Sequence, residues 1–309
     1  MTNSDIPILA IEDLRKEFGR VTALAGIDIT LHKPGVYGFL GPNGAGKTTT
    51  FKLICGLLRP TSGRVVVDGT DVRFEPHVAV GKLGVLFDAP AYYPYLSGRE
   101  NLQVFARWQG PITEQKIDSL LNLVGLDQAK NRRVGGYSWG MKQRLGLAAA
   151  LLSDPKLVLL DEPTNGLDPG GIADVRRLLP KLAYEEGRTV LLSSHRMEEV
   201  EQICDAVTII HQGRVVACGT PAELAAGEPE IMIRCADPAA ARTILSRIVG
   251  IKSVSQVGPD RLKIGAPGLA ASKVNQLLME NGVAVEEVMQ RRESLEEVFF
   301  RLTGSQSHG

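Results

Sequence analysis

Two apolar runs, Leu157-Val158-Leu159-Leu160 and Thr189-Val190-Leu191-Leu192, predict parallel strands buried on both faces, joined by a crossover helix over Gly171 to Glu186. Ile8 to Ile11 and Ile27 to Leu31 alternate apolar with polar or small residues, and Gly63 to Val67 adds a short strand, so a small antiparallel sheet is expected nearby. From Ser97 to Leu152 the period becomes helical, with Ser97 and Glu100 spaced as a capping box and breaks at Gly110-Pro111 and Gly125. Ala206 to Ile210, the turn His211-Gln212-Gly213 and Arg214 to Cys218 predict a hairpin.

Around Ala225-Ala226-Gly227-Glu228-Pro229 turn formers and a proline interrupt the pattern, and a second unit is expected to begin. Strands over Glu230 to Cys235, Ser253 to Val257, Arg261 to Ile264 and Ala284 to Met289 alternate with helices over Pro238 to Val249 and Ala271 to Asn281. That order is β-α-β-β-α-β, a split βαβ sandwich. A last helix, Ser294 to Leu302, opens with a second capping box, Ser294 and Glu297, and sets Leu295, Val298, Phe299 and Leu302 on one face. The domains expected are therefore 1–227 and 228–309.

Composition narrows the function classes. The 309 residues carry 35 basic and 35 acidic side chains, and 44% are hydrophobic, so most of the chain is globular and lacks the net positive charge of a nonspecific nucleic-acid binder. The longest nearly unbroken apolar stretch, Leu145 to Leu152, is far short of the ~20 residues that span a bilayer. Met1-Thr2-Asn3-Ser4-Asp5 lacks the charged and apolar regions of a secretory leader, so a cytoplasmic location is expected. Cys55, Cys204, Cys218 and Cys235 are scattered and read as small buried hydrophobes.

The candidate chemistry starts where the apolar run Val36-Tyr37-Gly38-Phe39-Leu40 meets Gly41-Pro42-Asn43-Gly44-Ala45-Gly46-Lys47-Thr48-Thr49-Thr50. Strand, glycine loop, helix with the spacing GxxxxGK[ST] is a phosphate cradle: backbone N–H groups surround the anion, Lys47 reaches the β and γ phosphates, and the Thr48 hydroxyl ligates Mg²⁺. Leu157 to Leu160 ends in Asp161-Glu162, whose side chains project differently; Asp161 is expected in the Mg²⁺ water shell and Glu162 as the group that orients and deprotonates a water. His195, ending a second strand, is a candidate partner for a γ-phosphate or that water.

With these motifs in this order, the sequence resembles the ATPase subunit of an ABC transporter over Ile8 to Leu224. Tyr137-Ser138-Trp139-Gly140-Met141-Lys142-Gln143-Arg144 is similar to that family's LSGGQ signature, and Gly166-Leu167-Asp168-Pro169 to its D-loop. The resemblance implies an α/β fold of the P-loop NTPase ABC ATPase type, with a mixed sheet core, an antiparallel β subdomain and a helical subdomain, followed by a small α+β C-terminal domain. It implies a head-to-tail homodimer with two ATPs between the copies, Ser138 and the Gly140 backbone meeting the partner's γ-phosphate. Phe18 matches the aromatic that stacks on adenine.

Departures from the family pattern are Trp139 and Met141, where Gly and Gln are usual, and Asp88, where the Q-loop glutamine falls and which is a candidate near Mg²⁺. Ala91 to Leu102, taken with the form of the signature over Tyr137 to Ala148, resembles the bacitracin and lantibiotic resistance exporters; in the family this region receives a coupling helix of the membrane subunit, and its three tyrosines and Arg99 suit such an interface. The ending Ser294 to Gly304 looks like that of drug-exporter ATPases. The function implied is ATP hydrolysis at the cytoplasmic face of the membrane, driving a separate integral membrane permease that exports a drug, peptide antibiotic or lipid-like substrate, with no nucleic acid as partner. An importer ATPase, a soluble ABC-type ATPase acting on nucleic acid or ribosomes, and a small-molecule kinase are the alternatives.

Overall fold

The computed structural model describes residues 6–87, 91–225, 230–291 and 293–303. Asp88 and the expected boundary between 227 and 228 lie outside the described residues. Packing divides the chain into two units, Met1–Thr220 and Pro221–Gly309.

The first unit begins with β1 (Leu9–Phe18), β2 (Val21–Leu31), β3 (Gly35–Leu40), α1 (Lys47–Ile54), β4 (Ser62–Val67), β5 (Thr70–Asp71), α2 (Pro76–Val80) and β6 (Leu83–Leu86). It continues through α3 (Gly98–Ala106), α4 (Glu114–Leu123), α5 (Trp139–Ala150), β7 (Leu157–Asp161), α6 (Pro169–Pro180), β8 (Thr189–Ser194), α7 (Met197–Glu201), β9 (Ala206–His211) and β10 (Arg214–Gly219). Among the described residues β2, β1, β4 and β5 form an antiparallel sheet. A larger mixed sheet has the order β10-β9-β3-β8-β7-β6, parallel except at the β9–β10 hairpin.

Every residue of β7 and β8 is buried, as runs without polar alternation require when both faces are covered. The core joins the two sheets through α1: Phe51 stacks on Phe39 of β3 at 6.4 Å between ring centroids, amid Leu9, Leu14, Leu24, Leu159 and Leu191. Helices α3, α4 and α5 pack on one another as the expected helical insert. Both legs of the Ser97–Glu100 box form, at 2.7 and 3.2 Å. The crossover helix begins two residues earlier than expected, because Asp168 caps it with Pro169 at its first position. Its last turn, Lys181–Glu185, widens into a π-helix after Pro180, which has no N–H to donate.

The second unit comprises α8 (Pro221–Leu224), β11 (Glu230–Cys235), α9 (Pro238–Leu245), β12 (Ser253–Gln256), β13 (Arg261–Gly265), α10 (Ala271–Glu280), β14 (Val285–Arg291) and α11 (Leu295–Thr303). Its antiparallel sheet, β12-β13-β11-β14, buries Ile231, Ile233, Leu262 and Ile264 against Leu245 and Leu278 of the helices. Helix α9 stops four residues short of the expected Val249, its ladder tightening to i−3 bonds at Arg247 and Ile248. One expectation is corrected: Cys218 is exposed, because it sits on the edge strand β10, while Cys55, Cys204 and Cys235 are buried.

Candidate functional site

Leu40 ends β3, and the chain then has to reverse against its neighbours without side chains in the way. A Cβ on Gly41 would stand 2.3 Å from the Ile210 carbonyl oxygen, and one on Gly46, whose φ is +114°, would stand 2.7 Å from Leu24. Ala45 is buried and accepts the Gly213 N–H at 3.0 Å, so Gly41 and Ala45 fix the loop while its other residues face a cleft. That cleft, about 540 Å³, is lined by Ala23, Pro42, Asn43, Gly44, Gly46, Lys47, Thr48, Thr49, Asp161, Glu162, Asn165 and His195.

The cleft suits an anion. Helix α1 has no side-chain cap and no acidic residue in its first turn, so its first N–H groups and the positive end of its dipole are directed at the cleft. Lys47, 6% exposed, donates to the Gly41 carbonyl at 2.7 Å and the Pro42 carbonyl at 3.3 Å, and its Nζ is 3.3 Å from Glu162 Oε1.

Strand register brings the acids to it. Asp161 lies opposite Ser193, whose hydroxyl donates to Asp161 Oδ1, while the Thr48 hydroxyl donates to Asp161 Oδ2 at 2.8 Å. Ser193 Oγ also accepts the Glu162 N–H at 3.0 Å. Glu162 stands in the left-handed region at φ +52°, unfavourable for a residue with a side chain, and this turn aims its carboxylate away from that of Asp161. His195 Nδ1 lies 2.9 Å from Glu162 Oε2; protonated there, the half-exposed ring donates to Glu162 and keeps Nε2 free to accept. Cys55, at the C-terminal end of α1, is no nucleophile: burial and the Asp161 charge push its thiol up to about 12.

The oxygen donors of Thr48 and Asp161 fit a small hard cation. Among the described residues no group of three or more His, Cys, Asp or Glu side chains gathers as a metal cage, so such an ion would draw its other ligands from phosphate and water.

Sequence reasoning brought Lys47, Thr48, Thr49, Asp161, Glu162 and His195 to one place; Ser193 and Asn165 were missed. Ser193 left no signal in the sequence, since it acts only through the β7–β8 register that sets it opposite Asp161. Other candidates lie outside this cleft. Phe18, 48% exposed at the end of β1, has the Lys16 Nζ 4.8 Å from its ring centroid. Ser138 caps α5, accepting the Met141 N–H at 3.2 Å, and Gly140 follows it on the first turn.

A second depression, about 920 Å³ and mainly apolar, runs beside β6, the last strand of the larger sheet, and is lined by residues including Phe87, Tyr92, Phe105 and Trp108. Tyr92 donates to the Lys142 carbonyl of α5 at 2.6 Å, and burial pushes its phenol well up. Among the described residues no helix is long and apolar enough to cross a membrane.

The ABC transporter family profile matches residues 24–165. The bacitracin transport ATP-binding protein BcrA of Enterococcus faecalis is 35% identical over 298 residues, covering 96% of each chain. The daunorubicin resistance ATP-binding protein DrrA3 of Streptomyces coeruleorubidus is 37% identical over 307 residues, again covering 96% of each. Among solved structures, CbiO1 of Clostridium perfringens, part of an ABC transporter complex, superposes with a TM-score of 0.65 at 29% identity, covering 79% of this chain and 96% of that one.

Proposed function

We propose, since this chain belongs to the ABC transporter family of ATP-binding subunits, that it hydrolyses ATP as a head-to-tail homodimer and drives a separate membrane permease exporting a drug, peptide antibiotic or lipid-like substrate. The observation that carries this reading is the meeting of Lys47, Thr48, Asp161, Glu162 and His195 around the uncapped start of α1.

In the proposed reaction the Gly41–Thr49 loop holds the phosphates by backbone N–H groups, and Lys47 exchanges its carbonyl partners for phosphate oxygens. Thr48 and Asp161 would hold Mg²⁺, which supplies charge to offset that of the phosphates. The Glu162 carboxylate orients a water for in-line attack on the γ-phosphorus and accepts its proton as the bond to the bridging oxygen breaks and ADP leaves. His195 holds the Glu162 carboxylate. Phe18 offers adenine an exposed ring face, and Ser138 with the Gly140 N–H reaches the γ-phosphate bound by the second copy.

Residues 1–227 form the ATPase domain in this reading and 228–309 an accessory one. The apolar groove beside β6 takes a helix of the permease, which holds the protein at the cytoplasmic face of the membrane; balanced net charge gives no footprint for nucleic acid.

The test is Glu162→Gln. With MgATP it should bind nucleotide, hydrolyse it ~10²–10⁴-fold more slowly, and elute as a dimer in size-exclusion chromatography. Hydrolysis at the wild-type rate removes Glu162 from the reaction, and a monomer at saturating MgATP removes the dimer.

A further inference from the structure

Trp139 is a large side chain at the first position of α5, 44% exposed, where packing gives it no place in the core. Its indole is nevertheless held. The Nε1–H donates to the main-chain carbonyl of Asn165 at 3.0 Å. The ring lies over Gly166, where a Cβ would stand 3.0 Å from Nε1, and Gly166 has φ +70°. One residue further along the helix, a Cβ on Gly140 would come within 3.4 Å of the Leu167 side chain. The first turn of α5 and the segment Asn165 to Leu167 are therefore fitted to each other.

That segment is one hydrogen bond from the site. The Asn165 N–H donates to the Glu162 carbonyl at 3.1 Å, closing a turn over Pro163 and Thr164 that starts at Glu162, the residue in the left-handed conformation. Such a backbone persists only where its surroundings hold it. Here they hold it from two sides, through the Ser193 hydroxyl on the Glu162 N–H and through Asn165 on its carbonyl. Trp139 in turn holds the Asn165–Gly166 peptide, the one that follows the Thr164–Asn165 peptide whose N–H meets Glu162. A path thus runs from Ser138 through Trp139 and Asn165 to the main chain of Glu162, whose carboxylate meets Lys47 and His195.

We propose that Trp139 is a positioning residue for ATP hydrolysis: it ties the Ser138 end of α5 to the turn that aims Glu162 in the same chain. This rests on the reading of Glu162 as the base and of Ser138 as a contact to the nucleotide of the second copy. Nucleotide seated against Ser138 then steadies the Glu162 of the neighbouring site, so the two sites of the dimer turn over cooperatively. The link is made by the indole N–H, which phenylalanine lacks.

The experiment uses the full-length chain with Trp139→Phe. A neutral hydrogen bond contributes enough to predict a kcat about three- to tenfold lower, with KM and nucleotide affinity changing by less than about twofold, and a Hill coefficient for ATP falling towards one. Simple loss of packing would lower the melting temperature without that split between kcat and KM. The chain has two tryptophans, so Trp108→Phe isolates the emission of Trp139 in folded protein, whatever the fate of Trp139→Phe. In a Glu162→Gln, Trp108→Phe chain, MgATP should shift that emission with the midpoint of nucleotide binding. Wild-type kcat and Hill coefficient in Trp139→Phe, or an emission unmoved by MgATP in dimers, overturns the proposal and leaves the dimeric ATPase standing. Failure of Glu162→Gln to dimerise overturns the reading beneath it.

Discussion

At the carboxyl ends of β7 and β8, Asp161, Glu162 and Ser193 share one network with Lys47, Thr48 and His195; at the amino ends of the same strands, Arg188 gathers Asp154, Glu186 and the Pro155 carbonyl. Both ends bury charge at the margin of a sheet, yet they dispose of it differently. Arg188, 8% exposed at its side chain, spends the donors of Nε, Nη1 and Nη2 on partners at 2.9, 2.8 and 2.6 Å, so its polarity closes on itself. At the other end the helix start is uncapped, the His195 ring is 39% exposed, and Glu162 holds a strained backbone. Polarity that serves the fold is self-satisfied; polarity that serves a ligand is left with groups in reach.

Substitution tests this contrast most severely at Lys47. Lys47→Ala removes the charge-assisted bonds to phosphate, so ATP affinity should fall on the order of 10²-fold, read by equilibrium binding of a fluorescent ATP analogue. Affinity retained within about threefold would mean that the loop backbone alone holds the phosphates. The amino end should behave in the opposite sense. Arg188→Met keeps the aliphatic stem and deletes the donors, leaving the Pro155 carbonyl unpaired. It should lower stability by roughly 2–3 kcal/mol, seen as a melting temperature ~4–12 °C lower, while hydrolysis at 20 °C stays within about twofold of wild type. A large loss of hydrolysis in folded Arg188→Met would break the contrast.

What the sequence disclosed divides along the same line. The loop Gly41 to Thr48 was legible because its requirement is local: residues with no side chain at fixed spacing, between a strand and a helix. Asp161 and Glu162 were legible because an apolar run ends at them, and His195 because it closes the second strand after Ser193-Ser194. Ser193 was not, since its two bonds depend on the pairing of β7 with β8, and neither was the meeting of Trp139 with Asn165, 26 residues apart, which needs α5 packed beside the turn after β7. Burial of Cys218 was misjudged for a related reason: an apolar hairpin strand looks the same in sequence at an edge as in the middle of a sheet. The end of α6 shows the converse, a pattern that stays helical through Glu186 while Pro180 forces the wider turn.

The finest test of the contrast is Asp154, the exposed member of the Arg188 cluster. The Arg188 guanidinium, hydrogen-bonded to it, holds its carboxyl below the ordinary value; the nearby Lys116 acts in the same direction. Because the folded-state value is depressed, the ionised carboxylate adds stability above the ordinary carboxylate value of about 4, and that contribution is lost as the pH falls through the folded value. Asp154 is 71% exposed at its side chain, so screening limits the pair to roughly 0–1 kcal/mol. Asp154 has φ +56°, which asparagine tolerates, so Asp154→Asn removes the charge without adding backbone strain. At pH 7 the variant should melt no more than ~4 °C below wild type in calorimetry, the gap should close as the pH is taken below about 4, and ATP turnover should be unaffected. A gap that persists in acid would assign the loss to the geometry around Arg188 and not to charge, and a change in turnover would mean that the two ends of these strands are not independent.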